Sequence, residues 1–125
     1  MASEVFERIA IVGAGLIGGS IARAAKEKGA AGAVSIFDAD AASLKRAGEI
    51  GLGDVRATIA DAVRDADAVF LCVPVGAMGQ TGRDSAAAMK AGAILTDVGS
   101  VKGSVARELR AGGRPGVHIV PGHPI

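Results

Sequence analysis

Short apolar runs alternate along the chain with helix-length segments, and this alternation constrains the fold more than any other feature. The runs have the Val, Ile, Leu and Phe content of buried β-strands and lie at 8–12, 33–37, 68–73, 93–97 and 117–120. They are continuous rather than alternating with polar residues, as expected when helices cover both faces of a parallel sheet. The pattern predicts an α/β fold of the Rossmann type, a doubly wound and mostly parallel sheet with helices on both faces.

The segments between the runs carry helix and turn signals. The first helix is expected to open after Gly15 and to end at Gly29, a residue type that favours helix C-termini. The other predicted segments are helices at 41–50, 77–91 (stopped by Gly92) and 103–111, a short edge strand within 51–59 and a helical turn at 60–66.

Composition narrows the class of protein. The 125 residues are 50% hydrophobic and 22% charged, which fits one domain spanning 1–125. Fourteen Lys and Arg against thirteen Asp and Glu leave a net charge of +1 without like-charge runs, so the expected partner is a small molecule and not nucleic acid or a membrane. Cys72 stands alone in an apolar run and is read as a buried, inert thiol, and no metal site is predicted. The longest apolar runs fall below the ~20 residues that span a bilayer, and a cytoplasmic location is expected.

A glycine pattern follows the first strand and opens the first helix. In Gly13-x-Gly15-x-x-Gly18, the first glycine permits a tight turn, the second lets a pyrophosphate approach the backbone, and the third allows close packing of helix on strand. The helix N-terminus offers free N–H groups to the phosphates. The glycines alone are weak evidence, because they serve tight turns in many folds.

An acid at the end of the second strand strengthens the prediction of a dinucleotide site. Asp38 follows Gly18 by 20 residues, where a carboxylate accepts hydrogen bonds from the adenosine ribose. It would repel the 2′-phosphate of NADP, and no arginine follows it directly, so NAD is the favoured cofactor. The alternative is that Asp38 caps the next helix. Lys45 and Arg46 are expected to form a solvated face of that helix.

Two polar residues follow later strands. Ser100 lies three residues after Asp97 and His123 three after Val120, so both are expected at the carboxyl edge of the sheet, on the side of the glycine loop. The alternatives are a helix N-cap for Ser100 and a turn residue for His123. His118 begins its strand and is expected at the opposite edge, as a structural or surface histidine.

The ordered motifs "GAGLIGGS", "DAD", "DAVFLCVPVGA", "ILTDVGSVKGSV" and "VPGHPI" resemble the nucleotide-binding domain of prephenate/arogenate dehydrogenases, especially the cyclohexadienyl type. The resemblance implies an NAD-linked oxidative decarboxylation on the route to tyrosine. It also implies that His123 takes the proton of the substrate's ring hydroxyl and that Ser100 orients both groups. The residues predicted to bind the cofactor are Gly13, Gly15, Leu16, Ile17, Gly18, Asp38, Val73, Pro74, Val75 and Gly99.

The chain departs from this family at its end. Members continue past the His-Pro-Ile motif into an all-helical domain that dimerises and binds the substrate's carboxylates, so the chain is interpreted as a truncated cofactor domain, nearly inactive alone, of a homodimeric parent. Two rivals remain: another NAD(P)-dependent dehydrogenase of the β-hydroxyacid or imine-reductase type, and a non-catalytic NAD-sensing Rossmann module. The choice between prephenate and arogenate stays open.

Overall fold

The sheet has the strand order of a doubly wound nucleotide-binding fold. The computed structural model describes residues 6–13, 15–97 and 118–120. Its strands are β1 (Phe6–Val12), β2 (Ala31–Phe37), β3 (Asp54–Val55), β4 (Ala68–Leu71), β5 (Ile94–Asp97) and β6 (His118–Val120), and its helices are α1 (Leu16–Glu27), α2 (Ala41–Glu49), α3 (Ile59–Val63) and α4 (Val75–Ala88). The strands form one sheet in the order β3-β2-β1-β4-β5-β6, and every described pairing is parallel. This is the Rossmann order, so the predicted fold class is confirmed.

The core lies on both faces of the sheet because successive side chains of a strand point to opposite sides. On β1, Ile9 and Ile11 pack with buried residues of α1 and α2, whereas Ala10 and Val12 pack with buried residues of α3 and α4. These four β1 residues are each no more than 2% exposed. The continuous apolar runs of the sequence therefore reflect two packed faces, as predicted.

Helices α1 and α2 are each followed by a glycine. The sequence predicted Gly29 as the end of the first helix, and Gly51 lies next to the predicted end of the second. Gly29 follows α1 with φ +66°, and Gly51 follows α2 with φ +71°, a left-handed conformation that glycine adopts without strain. In each case the N–H groups of the glycine and of the next residue donate to carbonyls of the last turn. These bonds include Ala30 N to Ala25 O (2.9 Å) and Leu52 N to Ala47 O (3.0 Å). Both ends are therefore Schellman motifs, which satisfy the last carbonyls of the helix.

The prediction for the fourth helix was wrong at both ends, since α4 begins and ends earlier than 77–91. Met89 adopts an extended conformation (ψ 149°) and is 1% exposed, so burying this side chain turns the chain out of the helix. Gly92 (φ +86°) lies in the following turn, closed by Ala93 N to Lys90 O at 3.3 Å, and does not end the helix.

Strand bounds differ less from the prediction. β1 and β2 begin earlier than expected, at Phe6 and Ala31, and β4 ends at Leu71 instead of Val73. The short edge strand and the helical turn correspond to β3 and α3. The helix predicted at 103–111 lies outside the described residues.

An ionic network anchors the amino edge of the sheet. Asp67, just before β4, accepts hydrogen bonds from Glu7 N (2.8 Å) and Arg8 N (3.2 Å), and its other carboxylate oxygen lies 2.6 Å from Lys90 Nζ. The Lys90 bond, assisted by the backbone N–H groups, lowers the pKa of Asp67. We call this group of Asp67, Lys90 and the Glu7–Arg8 backbone the amino-edge clamp. It joins the starts of β1 and β4 to the segment before β5.

β6 pairs with β5 so that the backbone of His118 lies opposite Ile94, at this same edge of the sheet. His118 therefore stands at the end remote from the glycine loop, as predicted. None of the helices in the described part of the chain has the length and apolar composition to cross a bilayer.

Candidate functional site

The loop after β1 requires glycine at its first position. Gly13 has φ +104°, and its N–H donates to Phe37 O at the end of β2 (2.8 Å). A Cβ built on Gly13 would lie 2.5 Å from Cys72 O and 3.2 Å from Val73 Cγ1. The loop thus fits tightly against the segment that leaves β4, and only glycine is accommodated.

The other two glycines have different surroundings. A Cβ on Gly18 would collide with Gly13 O and lie 3.0 Å from Ile11 Cγ2, so Gly18 allows close packing of α1 on β1. Among the described residues, a Cβ on Gly15 would meet no atom within 4 Å, and Gly15 has φ −72°. The described residues thus give no steric reason for glycine at position 15. The open space before its backbone is what a bound phosphate group needs.

Helix α1 begins without the side-chain cap that α2 and α3 have. Its N-cap is Gly15, with no capping hydrogen bond from a described side chain and no acid in the first turn. By contrast, Asp40 caps α2 and Thr58 caps α3 through side-chain acceptors. Uncapped N–H groups and the positive end of the helix dipole suit an anion. The α1 N-terminus and the open space at Gly15 therefore form one cradle that fits a pyrophosphate.

Asp38 stands beside this cradle, since it follows Phe37, whose carbonyl accepts from Gly13. Its Oδ1 accepts from Asp40 N (2.7 Å), which fixes the half-buried side chain in a local turn. The cap of α2 is Asp40, which accepts from Ser43 N (3.3 Å) and Ser43 Oγ (2.7 Å). The alternative reading of Asp38 as the helix cap is therefore wrong. The Ser43 hydrogen bonds lower the pKa of Asp40.

The remaining predicted cofactor contacts that the structure describes lie at or next to two helix N-termini. Val73 is half-buried beside Gly13, and Pro74 is exposed as the N-cap of α4, which also lacks a side-chain cap among the described residues. Leu16 and Ile17 open α1 and Val75 opens α4. Gly99, Ser100 and His123 lie outside the described residues, so their placement at the carboxyl edge stays a prediction.

Two more side chains, Asp97 and Cys72, lie at the carboxyl ends of strands. Asp97, read from the sequence only as the end of a strand, is 1% exposed and lies opposite Leu71 at the end of β5. Because a buried carboxylate needs polar partners, this acid belongs to the structure of the edge. Burial raises the pKa of Cys72 to about 12, which keeps the thiol protonated and agrees with its reading as inert.

A groove between α1 and α2 opens beside the cradle. The cavity has a volume of about 380 Å³, and Gly15 and Ser43 line it together with Arg23 and Arg46. We call it the α1–α2 groove. Lys45 and Arg46 are both exposed, as predicted, and the structure adds that Arg46 lines the groove. No sequence pattern signals this pairing, because Arg23 and Arg46 come together only when two helices pack side by side.

A parallel sheet wound in this order, with a glycine loop leading into an uncapped helix, defines a Rossmann-type nucleotide-binding domain. The family model described as "Prephenate dehydrogenase, nucleotide-binding domain" matches residues 21–125. The chain belongs to this family.

Known proteins agree with the family assignment. The cyclohexadienyl dehydrogenase of Zymomonas mobilis is 48% identical over 122 residues, which are 97% of this chain and 41% of that protein. The structure of Aquifex aeolicus prephenate dehydrogenase in complex with hydroxyphenyl propionate and NAD+ aligns with a TM-score of 0.83 and 28% identity, over 100% of this chain and 43% of that one. Synechocystis arogenate dehydrogenase aligns with a TM-score of 0.77 and 26% identity, over 84% of this chain and 37% of that one. The chain thus spans about two fifths of the length of these relatives.

Proposed function

We propose that the chain is the NAD-binding domain of a prephenate or arogenate (cyclohexadienyl) dehydrogenase, which decarboxylates its substrate oxidatively on the route to tyrosine. The observation that carries the proposal is the open cradle at Gly15 in a member of this family. The names of the similar proteins support the substrate class, and the NAD+ complex of the Aquifex aeolicus protein supports the cofactor.

The residues around the glycine loop would hold the two halves of NAD at different places. The N–H groups at the start of α1 bind the pyrophosphate in front of Gly15, and Asp38 accepts hydrogen bonds from the adenosine ribose hydroxyls. Val73, Pro74 and the first residue of α4 flank the nicotinamide half, together with Gly99. When bound, NAD accepts a hydride from the substrate carbon.

His123 and Ser100 supply the acid–base chemistry in this proposal. His123, as a neutral imidazole, accepts the proton of the ring hydroxyl. The ring carboxylate leaves as CO2, and the electron pair of the broken C–C bond makes the ring aromatic. Ser100 orients the hydroxyl and the imidazole through hydrogen bonds. The groups that bind the substrate carboxylates, and the dimer contacts of the whole enzyme, lie on a further helical domain. We place this enzyme in the cytoplasm.

The deciding experiment replaces the proposed base in the full-length protein. We expect His123→Asn to lower kcat by about 10²–10⁴-fold with prephenate or arogenate, because the general base is lost, while NAD affinity stays unchanged. Ser100→Ala should cost less, since it only orients. His118→Asn, at the opposite edge of the sheet, is the matched control and should retain full turnover.

The outcomes separate the competing readings. Unaltered turnover in His123→Asn rejects the assigned base. A wild-type protein that binds NAD but converts neither substrate supports a sensing module in place of an enzyme.

Asp38 gives a second test, on cofactor choice. We expect calorimetric titration to show tighter binding of NAD than of NADP, because the carboxylate repels the 2′-phosphate. Asp38→Ala should narrow the difference by about tenfold, or roughly 1.4 kcal/mol. Asp84→Ala, which removes an exposed carboxylate from α4, should leave the ratio unchanged. Equal or tighter NADP binding by the wild type contradicts the NAD assignment.

A further inference from the structure

The α1–α2 groove brings together the arginines that the rest of the described structure leaves without partners. Arg23 and Arg46 form no hydrogen bond or ion pair with any described residue, although both line the same cavity. Elsewhere the described arginines are engaged: Arg8 with Ser35 and Asp54, Arg56 with Asp54 at 4.0 Å, Arg64 with Asp61, and Arg83 with Gln80. The described residues of the lining include no acid. The groove therefore concentrates uncompensated positive charge.

The chemistry of the lining favours a phosphate group. Guanidinium groups present planar donors that match the spacing of phosphate oxygens, and two of them neutralise a dianion. The Ser43 hydroxyl donates to Asp40, so it is not counted as a donor to the ligand. Arg23 and Arg46 are therefore the groups that would bind the phosphate.

The size and the wall of the groove indicate more than a bare ion. Its volume of about 380 Å³ lies within the ~300–1,000 Å³ range of small-molecule pockets. Ala47, Ile50 and Leu52 give it an apolar side, and Ile50 is 50% exposed. A phosphate ester with an organic body would place its phosphate on the arginines and its body on this apolar side.

We propose that the α1–α2 groove is a second phosphate-binding subsite, lying outside the pyrophosphate cradle and meeting it at Gly15. The phosphate belongs to a separate phosphorylated small molecule, because Asp38 beside the cradle disfavours the 2′-phosphate of NADP.

The first arm of the test titrates inorganic phosphate into the full-length protein saturated with NAD, so that the cradle is already occupied. Binding is followed by calorimetry, with sodium chloride at equal ionic strength as the salt control. We expect Arg23→Gln/Arg46→Gln to weaken phosphate binding at least tenfold. Lys45→Gln, which removes a neighbouring charge outside the groove, should bind as the wild type does. Because both arginines are exposed, equal Tm values for the variants check that the fold is kept.

The second arm compares NADP with NAD on the same variants and identifies the source. If the dinucleotide supplies the phosphate, the double variant weakens NADP at least tenfold and leaves NAD unchanged. If a separate metabolite supplies it, the ratio of the two cofactors is unchanged and only free phosphate is lost. Only the second result supports the subsite, whereas the first assigns the arginines to cofactor recognition and overturns the proposal. A double variant that behaves like Lys45→Gln in every titration overturns it. NAD binding is measured in its own titration, and phosphate is also titrated into the protein without cofactor. The test of the groove therefore does not depend on whether NAD binds as proposed.

Discussion

Two glycines of the same loop are needed for different reasons. Gly13 is required by the fold, because its φ of +104° and the nearby Cys72 carbonyl leave no room for a side chain. Gly15 has an ordinary backbone conformation and no described atom near a built Cβ, so we infer that any requirement for glycine there comes from the proposed ligand. Substitution by alanine should separate the two effects.

We therefore predict that Gly13→Ala lowers the free energy of unfolding by about 2 kcal/mol or more, through backbone strain and steric overlap. Gly15→Ala should cost less than about 1 kcal/mol, the ordinary effect of alanine at a helix N-cap, yet weaken NAD binding at least tenfold. Urea unfolding and calorimetric titration on the same samples check both expectations. A Gly15→Ala protein that binds NAD normally would show that the open space is not the cradle.

The sequence predicted the position of Asp38 better than the local role of its neighbour Asp40. The spacing from Gly18 to Asp38 marked the acid correctly as the one beside the glycine loop, because strand, loop and helix follow each other directly along the chain. The cap of α2 was assigned by the structure to Asp40, although its position directly before the helix was a readable signal. Arg46 could not be paired with Arg23 from sequence, since their proximity depends on how two helices pack.

At the scale of the secondary-structure elements, the amino-edge clamp fixes where strands begin. The pKa of Asp67 is lowered in the folded protein, chiefly by the Lys90 hydrogen bond. Its contribution to stability is therefore complete above the unfolded value near 3.9 and is lost as the pH falls through the lowered pKa. The same bond raises the pKa of Lys90, so this partner's contribution is lost only as the pH rises through that raised value.

We predict that Asp67→Asn lowers the free energy of unfolding by about 1 kcal/mol at pH 7, because a partly exposed ion pair and two charge-assisted hydrogen bonds are weakened. The difference from wild type should shrink below about pH 4. Urea denaturation at pH 7 and pH 3 measures it. Asp84→Asn, on an exposed face of α4, is the control, with an expected change within about 0.5 kcal/mol. A penalty for Asp67→Asn that is the same at both pH values would argue against the ionic origin.

Helix ends show why some boundaries were predictable and others were not. Gly29 follows the C-cap of α1, and its effect on the helix end needs no contact with a distant residue. The sequence alone therefore predicted that end. The end of α4 depends on burial of Met89 and on the contact between Lys90 and Asp67, which lie 23 residues apart in the chain. Gly92, four residues after the end of α4, led to the prediction of a later helix end. Local signals predict local ends, whereas tertiary contacts move them.

On the scale of the whole molecule, burial is greatest along the central strands. β1 and β4 are neighbours in the middle of the sheet, and Ile9–Val12 lie in the two cores. β3 is a two-residue edge strand with both residues exposed. The hydrogen bonds of the central strands and those of β3 should therefore break by different unfolding routes.

We predict that amides of β1 and β4 exchange with solvent only through global unfolding, whereas those of β3 exchange at least tenfold faster through local opening. Hydrogen–deuterium exchange resolved by residue checks this. The rates in β1 should respond to Asp67→Asn by the full loss of stability, and those in β3 should not. Uniform exchange across the three strands would contradict the expectation.

The clamp and the glycine loop occupy opposite ends of β1, roughly 20 Å apart at about 3.3 Å per residue. Selection for thermal tolerance and selection for ligand preference therefore act on separate groups of codons. A lineage adapting to heat can strengthen the contacts of Asp67 and Lys90 without disturbing cofactor recognition, and one changing its cofactor can vary Asp38 or the groove without loosening the sheet. A protein engineer has the same freedom, and can first stabilise the amino edge and then use the gained margin for substitutions at the carboxyl edge.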